Sequence, residues 1–244
     1  MIIVPCFNEQ TRLPISQFSC FIEATPWVRF LLVNDGSADC TLAVLRGLET
    51  RYPANVGVLD LQSNVGKAEA VRQGLLEGIS HGQAAYAGFW DADLATPLES
   101  IADMKGVLDE DLQVQMVFGA RVRLLGRSIH RRATRHYLGR VFASVVSLML
   151  RLPIYDTQCG AKLFRITPDL LQIFGKPFHS KWIFDVEILA RFLYMNNNDI
   201  HYVSAAIYEL PLKRWEDVGG SHVKSRDFLT AILELAHIRN TYLR

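Results

Sequence analysis

Short apolar runs alternate with amphipathic stretches through the first half of this chain. Ile2–Pro5, Phe30–Asn34, Val56–Leu61, Ala85–Trp90 and Val114–Ala120 are rich in aliphatic and aromatic residues. With turn-forming residues between them, they read as buried strands. Ala38–Arg51 and Lys67–Ser80 instead repeat apolar residues every three or four positions, the period of a helix with one buried face. Thr96-Pro97-Leu98-Glu99 has the composition of a helix start: Thr as N-cap, Pro at the first helical position and Glu at the third. It predicts a helix running through Leu108. This rhythm predicts an α/β fold, a doubly wound sheet with several parallel strands.

The second half is less regular. A helix is expected from about Arg131 to Arg151, a strand at Ala161–Ile166, a helix at Ile183–Met195 and a strand at Ile200–Leu210. A last helix is expected from Arg226 to Tyr242, with Phe228, Leu229, Ile232, Leu233, Ala236 and Ile238 as its apolar stripe.

Composition narrows the class. The chain has 244 residues, half of them hydrophobic, enough for one large α/β domain with an ample core. Its 26 basic and 25 acidic residues leave a net charge of +1, which argues against a nucleic-acid partner. Cys6, Cys20, Cys40 and Cys159 are widely spaced, so a zinc ribbon, a C-x-x-C redox pair and a disulfide framework are all disfavoured. The longest apolar run, Val141 to Leu150, is ten residues broken by Ser144 and Ser147, too short to span a bilayer. Met1 leads straight into Ile-Ile-Val-Pro with no basic leader, and the expectation is a cytosolic protein.

In open α/β sheets ligands bind beyond the carboxyl ends of the strands. Polar turns fall there repeatedly: Asn8-Glu9 after the first strand, Asn34-Asp35-Gly36-Ser37 after the second, Asn64-Val65-Gly66-Lys67 after the third and Asp91-Ala92-Asp93 after the fourth. One such turn is ordinary strand-to-helix chemistry, but four along one edge point to a site. Asp91 and Asp93 leave an apolar run together, and each raises the other's pKa unless a cation intervenes. A divalent ion holding a diphosphate answers that need, since Mg²⁺ favours one or two carboxylates plus phosphate oxygens. Two solvated turn aspartates are the plain alternative. A haloacid-dehalogenase-type phosphatase is excluded, because position 95 of the D-x-D-x pattern is Ala.

Taken in order, Val4–Glu9, Val33–Thr41, Asn64–Gly74, Asp91–Pro97, Asp156–Phe164 and Phe184–Glu187 resemble family 2 glycosyltransferases of the GT-A fold. The likeness is greatest to the branch that glucosylates dolichyl or polyprenyl phosphate, and it covers about the whole chain. It implies a Rossmann-like, mixed but mostly parallel sheet flanked by helices, in one domain over 1–244. Residues 1–111 would bind the nucleotide sugar and 112–244 the acceptor. It further implies inversion at the anomeric carbon and Mg²⁺ or Mn²⁺ held by Asp91 and Asp93. By the same resemblance Pro5, Glu9, Asp35, Gly66, Lys67 and Asp91 line the donor pocket, with Asp35 reading uracil or guanine. Ala95 stands where the mannosyl branch usually has glutamine, which tilts the sugar toward glucose. Asp156 and Asp185 join Asp91 and Asp93 as catalytic candidates. Arg121, Arg131, Gln158, Arg214, Ser221 and Lys224 would contact diphosphate or acceptor phosphate.

Leu112–Tyr155 holds eight Arg and no Asp or Glu, so the remaining residues sum to 1 − 8 = −7. The stretch reads either as a solvated basic face or as a surface for an anionic membrane and a polyprenyl phosphate, with Val141–Leu150 at the bilayer. A hydroxyl acceptor would need a general base, for which Asp185 is the candidate; a phosphate acceptor is already anionic. Asp185 and Glu187 could equally be plain N-terminal helix charges. Cys159 reads as a small buried hydrophobe. Two alternatives stay open: transfer to a hydroxyl of a soluble or cell-wall acceptor, and a non-catalytic nucleotide-sugar-binding or membrane scaffold protein. A sugar nucleotidyltransferase is disfavoured, for its Gly-rich basic first loop is missing.

Overall fold

The computed structural model describes residues 1–82, 84–130, 133–218 and 225–243, with side chains throughout except at 133–138 and 225–229. The first half follows the expected alternation: β1 (Ile2–Cys6), α1 (Ile15–Ala24), β2 (Phe30–Asp35), α2 (Thr41–Arg51), β3 (Val56–Leu61), α3 (Lys67–Ser80), β4 (Tyr86–Trp90), α4 (Ser100–Glu110) and β5 (Met116–Ala120). Then come β6 (Ser128–His130), α5 (Ala133–Leu150), β7 (Ala161–Arg165), α6 (Pro168–Gly175), α7 (Phe184–Met195), α8 (Ile200–Ala206), β8 (Ile207–Pro211), β9 (Arg214–Glu216) and α9 (Ser225–Tyr242).

Seven strands form one sheet in the order β3-β2-β1-β4-β7-β5-β8, and β6 pairs with β9 in a two-stranded ribbon. β7 runs antiparallel to both its neighbours, whereas the other pairings in the large sheet are parallel. The expected mixed, mostly parallel sheet is therefore present. Because β7 runs backward, it begins at the edge where β4 and β5 end, and the chain before it must cross those strand ends. Alternation along β1 sends Ile2 and Val4 to one layer of core and Ile3 to the other. The α1, α2 and α4 side includes Phe18, Leu45 and Met104, while α3, α6 and α7 cover the other face through Val71, Phe174 and Ile188.

Three expectations need correction. Thr96 does not cap α4: its hydroxyl lies 3.7 Å from Cys159 Sγ, its carbonyl accepts from Trp90 Nε1 at 2.8 Å, and Pro97–Glu99 make a tight turn before the helix. The same Thr-Pro opening does work at Thr167-Pro168, where Thr167 caps α6 by accepting from Leu170 N–H. Ile200–Leu210 is not all strand. Asp199 accepts from Tyr202 N–H and starts α8, whose Val203 and Ala206 are buried one turn apart. In α9 the described buried face is Ala231, Leu235 and Ile238, whereas Ile232 and Leu233 are exposed.

Candidate active site

The first two strand-end loops are laced together. Asn8 N–H donates to Ser37 Oγ, Ala38 N–H to Asn8 Oδ1 and Glu9 N–H to Thr41 Oγ1, at 2.8–3.0 Å. Pro5 lies in β1 opposite Val33, and Glu9 is within 3.6 Å of Arg12. Asp35 is almost wholly buried at the end of β2. Its carboxylate accepts from Val65 N–H at 2.7 Å, Gly66 N–H at 3.0 Å and the Asn64 amide at 3.2 Å. Burial pushes its pKa up, and the two main-chain bonds pull it back only in part. Asp35 therefore shapes the turn that delivers Gly66 and Lys67, and a carboxylate's roughly four acceptor positions leave room for a further donor. At Gly36 (φ +60°) a Cβ would fall 2.3 Å from Asn64 N, so only glycine lets the two turns close on each other.

Lys67 opens α3, and its Nζ meets Asp91 Oδ1 at 2.5 Å. Asp91 follows the fully buried Trp90, and its own N–H donates to Gly160 O at 2.9 Å. Asp93 accepts from Ala95 N–H at 3.1 Å, and between them Leu94 adopts φ 51°. Such a conformation costs a non-glycine residue on the order of 1–3 kcal/mol and concentrates at functional turns. Burial, and then the charge of Asp91, push the Asp93 pKa up. Burial would lower the Lys67 pKa, but Asp91, Asp185 and Asp93 together outweigh it and raise it. The pocket is thus short of positive charge. Among the described residues no three His, Cys, Asp or Glu side chains gather into a closed metal cage. Two carboxylates with open positions beside them suit a hard divalent ion that completes its shell with phosphate oxygens.

Across the sheet, Arg121 leaves β5 and forms a two-pronged pair with Asp156, Nε to Oδ2 at 2.6 Å and Nη2 to Oδ1 at 2.7 Å. Burial works against the guanidinium, but the charge and hydrogen bonds of Asp156, with the charge of Asp91 further off, raise its pKa on balance. Asp156 thus holds Arg121 in place. Gln158 is half-buried on the same crossing segment, and Cys159 is fully buried, with burial raising its thiol. Arg214 is exposed on β9, 3.4 Å from Glu216; its neighbour Trp215 is the residue that packs on Arg121. Arg131, Ser221 and Lys224 lie outside the described residues.

Two residues of this edge escaped the sequence reading. Lys162 on β7 has no exposed surface; its Nζ donates to Cys159 O at 2.6 Å and lies over the Phe89 and Phe118 rings. It stands 2.6 Å from Asp185 Oδ1, an ion pair without hydrogen-bond alignment. The signal was a lysine at an inward position of a strand otherwise apolar, which demands a buried counter-charge. The second, Glu209 on β8, accepts from both Tyr155 N–H and Asp156 N–H at 2.7 Å. Glu187, read beside Asp185, instead pairs with Arg191 and accepts from His179 and Ser180 N–H.

Comparison with known proteins identifies the family. A Drosophila melanogaster dolichyl-phosphate beta-glucosyltransferase is 32% identical over 241 residues, a match covering 90% of this chain and 68% of that protein. The human enzyme of the same name is 28% identical, covering 99% and 75%. Among solved structures, Mycobacterium tuberculosis glucosyl-3-phosphoglycerate synthase, in complex with Mn²⁺ and UDP-glucose, superposes with a TM-score of 0.63 at 17% identity, covering 98% of this chain and 78% of that one. A Pyrobaculum calidifontis mannosyltransferase, bound to GDP-mannose and Mn²⁺, gives 0.59 at 18% identity, covering 96% of this chain and 60% of that one. These structures share the GT-A fold. The sequence profile of glycosyl transferase family 2 matches residues 1–169, which carry every strand end from Pro5 to Asp156 described above. The chain belongs to glycosyl transferase family 2.

Proposed function

We propose that this glycosyltransferase moves glucose from UDP-glucose to a dolichyl or polyprenyl phosphate, with inversion and with Mg²⁺ or Mn²⁺ at Asp91 and Asp93. The observation that carries the reading is the convergence of Asp91, Asp93, Lys67 and Arg121 on one sheet edge. In this scheme residues 1–111 serve the donor and 112–244 the acceptor within one domain. Pro5, Glu9, Asp35 and Gly66 line the nucleoside pocket, and Lys67 faces the diphosphate. When bound, the divalent ion offsets negative charge on the leaving nucleotide diphosphate. Lys67 adds fixed positive charge on the donor side, which helps most where it faces the developing anion. The acceptor phosphate oxygen attacks the anomeric carbon from the face opposite the diphosphate, forming the new C–O bond as the old one breaks. Arg121 orients that phosphate, with Gln158 beside it, and Arg131, Arg214, Ser221 and Lys224 complete the phosphate-binding surface. Asp156 acts in catalysis by holding Arg121.

The direct test is transfer of labelled glucose from UDP-glucose to farnesyl phosphate with Mn²⁺ present. Product is expected with that acceptor and not with a matched alcohol. Transfer to a hydroxyl acceptor alone would favour the second reading, with Asp185 as base; it lies near enough to Lys67 to raise that ammonium's pKa.

Donor selectivity gives a separate check. Asp35 can accept from the ring N–H of uracil or guanine but not from adenine's unprotonated ring nitrogens. Calorimetry is expected to find UDP or GDP bound about tenfold or more tightly than ADP. Equal affinities would remove Asp35 from base recognition.

Among the described residues no helix is long and apolar enough to cross a membrane. In this proposal the lipid is met from the surface, at the cytoplasmic face of an anionic membrane. Support comes from α5, where Val141, Val145 and Leu148 are 65%, 49% and 80% exposed along one side, within the arginine-rich stretch 112–155 of the sequence. Vesicles containing anionic lipid are expected to sediment the protein at 0.1 M salt. They should release much of it at 1 M, as the Debye length falls from about 10 Å to about 3 Å. Replacing those three residues with Ser is expected to weaken sedimentation further. Binding indifferent to lipid charge and to the triple variant defeats the peripheral reading.

A further inference from the structure

Glu209 sits on the edge strand β8, opposite Phe118 of β5. It is far from the sheet-end motifs in sequence, yet its carboxylate reaches the segment that crosses those ends. Oε2 accepts from Tyr155 N–H and Oε1 from Asp156 N–H, both at 2.7 Å. Two consecutive amides aimed at one carboxylate fix the peptide between them in rotation as well as position. Arg140 of α5 secures the same place from the other side, donating to Tyr155 O at 3.0 Å with its guanidinium 3.5 Å from the centre of the Tyr155 ring. The next link is Asp156, whose carboxylate takes both prongs of Arg121 and also its main-chain N–H at 3.1 Å. Arg121 is closed from its far side by the Trp215 ring, 5.3 Å away.

We infer that Glu209 is a positioning residue for transfer, setting the angle of the Arg121 guanidinium through the Tyr155–Asp156 main chain and the Asp156 carboxylate. This rests on the reading of Arg121 as a partner of the acceptor phosphate. Stability alone would not choose a carboxylate here. Burial and the Asp156 charge disfavour the ionised form more than the Arg140 charge and the two amides favour it. What an ionised carboxylate supplies is two acceptors at fixed spacing, and charged hydrogen bonds are the stiffer kind. Glutamine has nearly the same shape but must turn an N–H₂ toward one of the two amides. That would free the peptide plane that aims Asp156.

The test is a double-mutant cycle on Glu209 and Arg121, with kcat and KM measured for farnesyl phosphate at saturating UDP-glucose and Mn²⁺. Arg121→Ala is expected to raise the acceptor KM by about tenfold or more. Glu209→Gln is expected to raise it by a similar factor, with UDP affinity by calorimetry within about twofold of the parent. In the double variant the rise should match that of Arg121→Ala alone, because a residue acting through Arg121 has nothing left to act on. Multiplying effects, or a Glu209→Gln variant that loses kcat with no change in acceptor KM, overturn the positioning role. An Arg121→Ala enzyme with parental acceptor KM overturns instead the reading beneath it. Should Glu209→Gln lose the parental circular dichroism, Glu209→Asp replaces it. That variant keeps the charge but falls one methylene short, so an intermediate rise under the same non-additivity is expected.

Discussion

Asp93→Ala is expected to cut glucosyl transfer by at least about 10²–10³-fold, the usual loss when a principal electrostatic element of a transferase site is removed. The same variant is expected to bind UDP equally well with and without Mn²⁺, as measured by calorimetry. The fold should be untouched. Burial and the neighbouring Asp91 charge already work against the ionised Asp93 carboxyl, so its loss relieves repulsion. Thermal unfolding in metal-free buffer should be unchanged or slightly raised. Parental turnover in the variant, or parental activity of the unaltered enzyme in EDTA, would rule out the ion at this pair.

The second large effect lies beneath the site. Lys162→Met is expected to destabilise the protein by about 3–5 kcal/mol in urea unfolding, the range for removing one partner of a buried ion pair. Lys162 is fully enclosed and Asp185 nearly so. Methionine fills the slot between Phe89 and Phe118 but leaves the Asp185 carboxylate, 2.6 Å from the former ammonium, without its nearest counter-charge. Adding Asp185→Asn should recover a good part of the loss, since an amide is cheaper to bury than a lone charge. A loss below about 1 kcal/mol, or a double variant no more stable than the single one, would contradict the buried-pair account.

The donor half was legible because each of its elements is specified locally. β1 to β4 are short apolar runs, α2 and α3 carry a helical period, and the polar turns fall between them. Those turns do meet at one edge, as Asp35 with Gly66 and Lys67 with Asp91 show. The acceptor half depends on pairings distant in sequence. No local pattern announces that β7 runs backward, that Glu209 reaches Asp156 across 53 positions, or that Lys162 lies inside. Thr96-Pro97 and Thr167-Pro168 show the limit within one motif. The first threonine is drawn into the core beneath the site, next to Cys159, and the second remains a cap. Ile200–Ala206 failed differently, since its β-branched and aromatic residues suit a strand while Asp199 starts a helix ahead of them.

Gly160 sets a limit on how this sequence can drift. A Cβ there would lie 1.8 Å from Asp91 Oδ2, inside the carboxylate itself. Even alanine would have to swing the Asp91 carboxylate out of its place or pull the crossing segment away from the strand ends. Gly47, Gly106 and Gly175 have nothing within 4 Å of the same added atom. Descendants of this chain can exchange those glycines one mutation at a time. Position 160 can accept a side chain only where the carboxylate at position 91 gives up its place.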